Sequence, residues 1–220
     1  MSKKKSSKYS DNFKVELKNN QKSAENFLNE NSISIFSGSA GVGKDFIQLH
    51  RAVTGLISGE FSELIFMRPA IEVGKGIGFL PGDLKEKLDP YQQSFIDNLN
   101  TMVNKPIFER VKKKIRFEHT GFCRGKSYFG AVVILSEAQN CTLHELITIV
   151  TRVGHNSKLL INGDKYQSDI IKNGFSDFIN IIEDIEGIGH MFLGDEYQMR
   201  NPIIINLNKK YVNFLKKKNV

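Results

Sequence analysis

Hydrophobic and polar positions follow two rhythms along this chain. Continuous apolar runs occur in "ISIFSG", "SELIFMRPA", "AVVILSEAQN" and "SKLLINGDKYQ", each closing on a polar, proline or glycine turn. Such runs read as buried strands. Between them, apolar residues return every three or four positions. In "KDFIQLHRAVTGLI" Phe46, Leu49, Val53 and Leu56, with Ile47 and Ile57, lie near one face, which predicts a helix. In "TLHELITIVTRVG" Leu143, Leu146, Ile147, Val150 and Val153 share a side, with Gly154 placed as a C-cap. "ENFLNENSIS" reads as a helix end and turn, and "YQQSFIDNLNTMV" as a helix. "KPIFERVKKKIRFEH" ends in a strand, and residues 177–218 read as a helix, a short strand and a last helix. The stretch "IEVGKGIGFLPGDLKEKLDPY", with four glycines and two prolines, reads as an ordered loop or insert. No repeat shows at a period of about 20–50 residues.

Apolar strands alternating with helices predict an α/β protein with a largely parallel sheet. Ligands of such sheets bind at the carboxyl ends of the strands. Three polar clusters fall there: Gly38–Asp45, Ser136–Asn140 and Gly163–Gln167.

Composition narrows this picture only a little. The 220 residues, 40% hydrophobic, suit one domain with a sizeable core. No apolar run reaches the roughly 18 residues of a membrane span. The basic start "MSKKKSSKYS" has no apolar segment after it, so it reads as a solvated tail rather than a secretory signal. A cytoplasmic location is the corresponding expectation. Cys123 and Cys141 lack metal-ligand spacing and read as two reduced thiols. The net charge of +7, with lysine clusters at Lys3–Lys5, Lys112–Lys114 and Lys216–Lys218, suits a nucleic-acid partner. Solvated faces and tails explain it equally well.

The first cluster, "GSAGVGKD", is one residue short of a phosphate-binding loop, G-x-x-x-x-G-K-[ST]. Gly38, Gly43 and Lys44 are in place, but Asp45 stands where a hydroxyl belongs. Gly38, Gly41 and Gly43 let the backbone aim N–H groups at an anion, and the start of the next helix adds its positive end. The second cluster, "VVILSEAQN", resembles the strand of a nucleotide-hydrolysing site that ends in Asp-Glu, with Ser136 in the aspartate position and Glu137 in the glutamate position. Ser136 could instead cap a helix with Glu137 in its first turn. The third, "INGDKYQ", can bring Gln167 near a γ-phosphate or its water, although Gly-Asp is a common turn. Gln21, ahead of the first strand, can read an adenine edge with its amide or can be a surface glutamine.

Taken together, the glycine loop, "MRPAIEVGKGIGFLPGDLKEKLDPY", "CRGKSYFGAVVILSEAQNCT" and "TRVGHNSKLLINGDKYQSDI" resemble the successive motifs of the PhoH-like ATPases, from about Gln21 to about Arg200. The resemblance implies an α/β P-loop NTPase, a three-layer sandwich with a largely parallel, helicase-like core sheet. The compact length is similar to the short phage and bacterial members. The implied organisation is a basic, disordered tail over 1–18, the P-loop domain over 19–205, and a C-terminal helix and basic tail over 206–220. The implied ligands are ATP and Mg2+, with RNA or single-stranded DNA as a partner and a homo-oligomeric ring, such as a hexamer, as the assembly.

The resemblance also distributes roles. Gly38, Ser39, Ala40, Gly41, Val42, Gly43 and Lys44 would bind phosphates, with Asp45 and Phe46 completing the nucleotide site. Glu137 would be the catalytic carboxylate, Gln167 the γ-phosphate sensor and Gln21 the adenine reader. Arg68 and Arg124 would lie near the nucleotide or RNA path. Arg152 and Arg200 would be fingers reaching a neighbouring subunit, or else surface ion pairs. Two positions depart from the family: threonine or serine is usual at Asp45, and aspartate at Ser136. Hydroxyl and carboxylate have traded places, so local charge and oxygen-ligand count are kept. One reading is a rearranged, working magnesium site formed by Asp45 and Ser136. The other is a catalytically impaired nucleotide- or nucleic-acid-binding protein, with Asp45 paired to Lys44.

Overall fold

A computed structural model of the chain describes residues 11–69, 84–168, 173–201 and 203–218. The first ten residues of the expected tail and most of the glycine-rich insert, residues 70–83, lie outside the described residues. Six strands form one sheet: β1 Ile33–Ser37, β2 Glu63–Arg68, β3 Ile115–His119, β4 Ala131–Leu135, β5 Lys158–Gly163 and β6 Ile188–Phe192. Their order is β3-β2-β4-β5-β1-β6, and every pairing is parallel. The helices are α1 Asn19–Glu30, α2 Lys44–Ser58, α3 Leu84–Met102, α4 Lys105–Lys112, α5 Leu143–Val150, α6 Phe175–Ile181 and α7 Ile203–Lys218.

The strands divide their side chains between two cores. Phe36, Leu64, Phe66, Val132, Ile134 and Leu160 face a cluster completed by α1 to α4. Ile35, Ile65, Met67, Val133, Leu135, Leu159 and Ile161 face a second cluster, closed by Leu146 and Ile149 of α5 and Phe175 and Phe178 of α6. Both faces of β4 and β5 are buried throughout, which is why these strands read as unbroken apolar runs. The result is the expected three-layer α/β sandwich. Among the described residues no helix is long and apolar enough to cross a membrane.

Several local expectations change. Residues 11–18 lie on the body rather than in a tail: Phe13 stacks on His50 with ring centroids 4.1 Å apart, and Leu17 is buried. Helix α5 ends at Val150, and its buried face is Leu146 and Ile149, whereas Ile147 is exposed. Ile147 follows Leu146 by about 100° of helix rotation, which turns it away from the core. Gly154 does not cap this helix. Its N–H donates to Tyr128 O at 2.7 Å, and a Cβ there would lie 2.4 Å from the Phe129 ring. The glycine permits a close approach of two chain segments.

Gly174 makes a tighter approach. A Cβ there would sit 2.0 Å from the backbone nitrogen of Leu143, with no flexible side chain to give way. Gly174→Ala must therefore separate the starts of α5 and α6. It is expected to cost about 3 kcal/mol. For a chain of this size that lowers Tm by roughly 6–12 °C in a thermal melt.

Candidate phosphate-loop site

The glycine loop leaves β1 and enters α2 directly. Gly38 has φ 154°, and a Cβ would meet Leu193 O at 2.4 Å, so glycine is required where the strand ends. Gly43 has φ 81° and turns the chain into α2 at Lys44. The free N–H groups of the first turn of this 15-residue helix then face the loop. Lys44 Nζ donates to Gly38 O and to Ser39 O at 3.0 Å, so the lysine lies across its own loop. Burial pushes its pKa down, and the nearby Asp164, Asp45 and Glu137 charges oppose that shift.

Asp45 and Ser136, 91 residues apart, meet at this point. Ser136 Oγ donates to Asp45 Oδ1 at 2.8 Å. Asn162 Nδ2 donates to the same oxygen at 2.9 Å and to Gln48 Oε1 at 2.7 Å, and Gln48 Nε2 donates to Ile161 O at 2.8 Å. Both bonds to Asp45 fall on Oδ1, and the residue as a whole is exposed. Ser136 does not cap a helix. Thr142 caps α5 instead, with Glu145 completing a capping box. Asp45 makes no ion pair with Lys44.

Glu137 follows Ser136 with φ 61°, a left-handed conformation that costs a non-glycine residue roughly 1–2 kcal/mol. Its two oxygens are held from two sides. Arg68 Nη2 lies 3.3 Å from Oε1, and Gln139 Nε2 donates to Oε2. Gln139 is buried and ties this strand end to the next, accepting from Asp164 N–H at 3.0 Å. Its Nε2 also reaches Gln167 O at 3.3 Å. Asp164 is buried, which pushes its pKa up, against the Tyr166 N–H and the charges of Lys44 and Lys165.

The remaining predicted residues take varied places. Gln21 is 2% exposed, so it is not a surface glutamine. Its Oε1 accepts from Lys18 N–H at 2.8 Å, and its Nε2 donates to Met199 Sδ at 2.9 Å. Phe46 packs, partly buried, against the α1–α4 core. Gln167 is exposed and is engaged through its backbone. Residues 198–200 lie against the loop: Met199 N–H donates to Gly41 O at 3.0 Å, and Gln198 Nε2 to Ala40 O at 3.3 Å. Arg200 therefore sits over its own loop, where a Cβ on Gly41 would be 2.9 Å from its Cδ. Arg152 lies between the end of α5 and the start of β5, at the opposite end of the sheet. On its Asp164 side the loop borders a cavity of about 470 Å3, walled by Gly38, Ser39 and Tyr166 and by α7.

Sequence reasoning missed Asn162 and gave no role to Gln139 and Asp164, which fall within two of its polar clusters. The available signal was a polar residue inside or just after an apolar strand, as in "KLLING". That pattern marks a polar group needing a partner, without naming the partner.

A family model described as PhoH-like protein matches residues 15–212. The chain is 34% identical over 189 residues to a PhoH-like protein of Bacillus subtilis (strain 168), covering 84% of this chain and 59% of that one. It is 33% identical to one of Synechocystis sp., covering 84% and 58%. It is 32% identical over 174 residues to Protein PhoH of Escherichia coli (strain K12), covering 76% and 49%. The chain thus spans about half to three fifths of the length of these relatives. The Pyrococcus furiosus Hef helicase domain, a solved structure, superposes with a TM-score of 0.46 at 12% identity, over 79% of this chain and 37% of that one. A likeness that slight carries no weight here.

Proposed function

Since the chain belongs to the PhoH-like protein family, we propose that it binds ATP with Mg2+ at the Gly38–Asp45 loop and hydrolyses it, acting with RNA or single-stranded DNA. One observation supports a rearranged site over a lost one. The traded hydroxyl and carboxylate touch, Ser136 Oγ on Asp45 Oδ1, at the mouth of the phosphate loop. The strand order makes the two positions neighbours in either case; the direct hydrogen bond between the exchanged groups is what supports the rearranged reading.

The donor set suits magnesium. Among the described residues no cluster of three or more carboxylate, imidazole or thiolate side chains could hold a metal alone. Magnesium needs no such cage, because it is held by one or two carboxylates together with substrate phosphates and waters. Asp45 would supply the carboxylate and Ser136 a hydroxyl oxygen. When bound, the ion would neutralise charge between the β- and γ-phosphates. Lys44 and the first-turn N–H groups of α2 would bind the same phosphates. Glu137 would accept the proton of the attacking water, with Arg68 and Gln139 holding its carboxylate in place. Gln167 would approach the γ-phosphate by turning its free amide inward. Gln21 would read adenine once its amide leaves Met199. Arg200 would meet nucleotide on its own loop. Arg152, at the far end of the sheet, would serve only a neighbouring molecule, as in a ring.

Thermal melts with ATP, in magnesium and in chelator, test the binding. ATP at 100 times its dissociation constant adds about 2.7 kcal/mol. That is a rise of roughly 5–11 °C for a chain of this size. We expect the rise in magnesium and none in chelator. The same preparations, assayed for phosphate release beside the double reversal Asp45→Thr, Ser136→Asp, decide between the two readings. Turnover by the native chain supports the working site. Turnover by the double reversal alone means the native site binds without hydrolysing.

A further inference from the structure

We propose that the loop joining β3 to β4 is a docking platform for single-stranded nucleic acid. This rests on the nucleic-acid part of the function proposed above and gives it a location. The loop is anchored at two buried points, Cys123 and Tyr128, each 2% exposed. Tyr128 OH donates to Glu118 Oε2 at 2.8 Å, its N–H donates to Arg152 O at 2.8 Å, and Lys126 N–H closes a turn on Cys123 O at 3.2 Å. Everything between and beside these anchors points outward. Phe122 is 55% exposed and Phe129 62%, and Arg124, Gly125, Lys126 and Ser127 are all exposed.

The two rings are large apolar groups in water, yet neither is unsupported. Phe122 makes a T-shaped contact with His119, 6.0 Å between centroids, and Phe129 lies against Gly154, whose missing side chain makes room for it. Each is held on one side and open on the other, as a stacking surface has to be. The surrounding charge is arranged in layers. Glu118 is buried beneath the loop, with its carboxylate paired to Arg116 and Lys126, while Arg124 makes no ion pair among the described residues. The outermost charges are therefore cationic.

Aromatic rings flanking exposed cations match the chemistry of a single strand. Unpaired bases stack on the rings whatever their identity, and the phosphates between them meet arginine and lysine. A protein partner would favour an interface core depleted of charge. Here two cations and two small residues separate the rings. The loop begins where β3 ends, one strand away from Arg68, which holds Glu137. A strand seated at the Phe122 end would lie near Arg68, while the Phe129 end runs on toward the start of β4 and the Arg152 segment.

The test uses the full chain without nucleotide, a labelled poly(U) strand and fluorescence anisotropy over a salt series. Losing one stacking aromatic weakens binding about tenfold, so Phe122→Ala with Phe129→Ala should weaken it about 100-fold. Tm should stay at the native value, and so should ATP turnover without the strand. Arg124→Ala with Lys126→Ala should flatten the salt dependence by about 1.4, two contacts at about 0.7 each. Tyr211→Ala, which removes an exposed aromatic on α7, should bind as native does. If the native chain binds poly(U) and the double phenylalanine variant binds it equally well, this location is wrong while the nucleic-acid reading stands. If the native chain binds no strand at any salt, both fail. Should the phenylalanine variant instead lose only self-association, seen by light scattering, the loop is a protein contact and the proposal is overturned.

Discussion

Glu137→Gln is expected to lower ATP turnover by about 10²–10⁴-fold, the usual contribution of a general base, while Mg-ATP still binds. The substitution keeps the size of the side chain and removes its ability to accept a proton. Both native oxygens are engaged, one facing Arg68 Nη2 and the other accepting from Gln139 Nε2. These two neighbours are donors only at those atoms, so the new amide must present an N–H to one of them. One hydrogen bond is lost, at a cost of about 1 kcal/mol. A small fall in Tm therefore accompanies the effect and cannot account for it. Steady-state phosphate release, paired with a binding titration, separates the two. Native turnover in this variant would remove Glu137 from the chemistry. Loss of binding along with turnover would give it a structural role instead.

The second large effect concerns Asp45→Asn, which should change affinity in opposite directions with and without metal. Asparagine can still accept from Ser136 and Asn162 through its oxygen, so the local network is kept. What disappears is a negative charge beside the phosphates. Two like charges at about 4 Å and an effective dielectric near 20 repel by roughly 4 kcal/mol, and less at a solvent-exposed carboxylate. Even about 1.4 kcal/mol is a factor of ten in affinity. In chelator, the variant should bind ATP at least about tenfold more tightly than the native chain. In magnesium it should bind more weakly, because on the proposed site the ion would have lost its anionic protein ligand. Titrations in the two buffers measure the crossing directly. Equal affinities for native and variant in both buffers would mean that Asp45 holds Ser136 and Asn162 and meets no ion.

Much of the fold was legible because burial leaves a local trace. β4 and β5 are buried on both faces, so they appear as apolar runs. α2 buries Leu49, Val53 and Leu56 along one side, so it appears at helical spacing. The glycine loop was legible for a related reason. Its glycines and lysine act through their own backbone and their immediate neighbours, and that chemistry is continuous in the chain. Where a helix face depended on packing geometry, the reading slipped by a residue or two. Ile149 rather than Ile147 turned inward, and Gly154 served a close approach to Tyr128 and Phe129 that no local pattern records.

By itself, then, the amino-acid order determined a parallel α/β architecture, a glycine loop between a strand and a helix, and an exchange of hydroxyl and carboxylate between two motifs. Partner choice belonged to the tertiary structure. The strand order sets the ends of β4, β5 and β1 side by side, and only that juxtaposition brings Ser136 and Asn162 onto Asp45. It also buries Gln21 under Met199, and it puts Arg200 over the loop while Arg152 stays at the far end of the sheet. Hydrophobic periodicity specifies which side of an element is buried. It carries no information about which buried polar groups will meet, since these contacts join residues far apart in the chain and form only when the sheet closes.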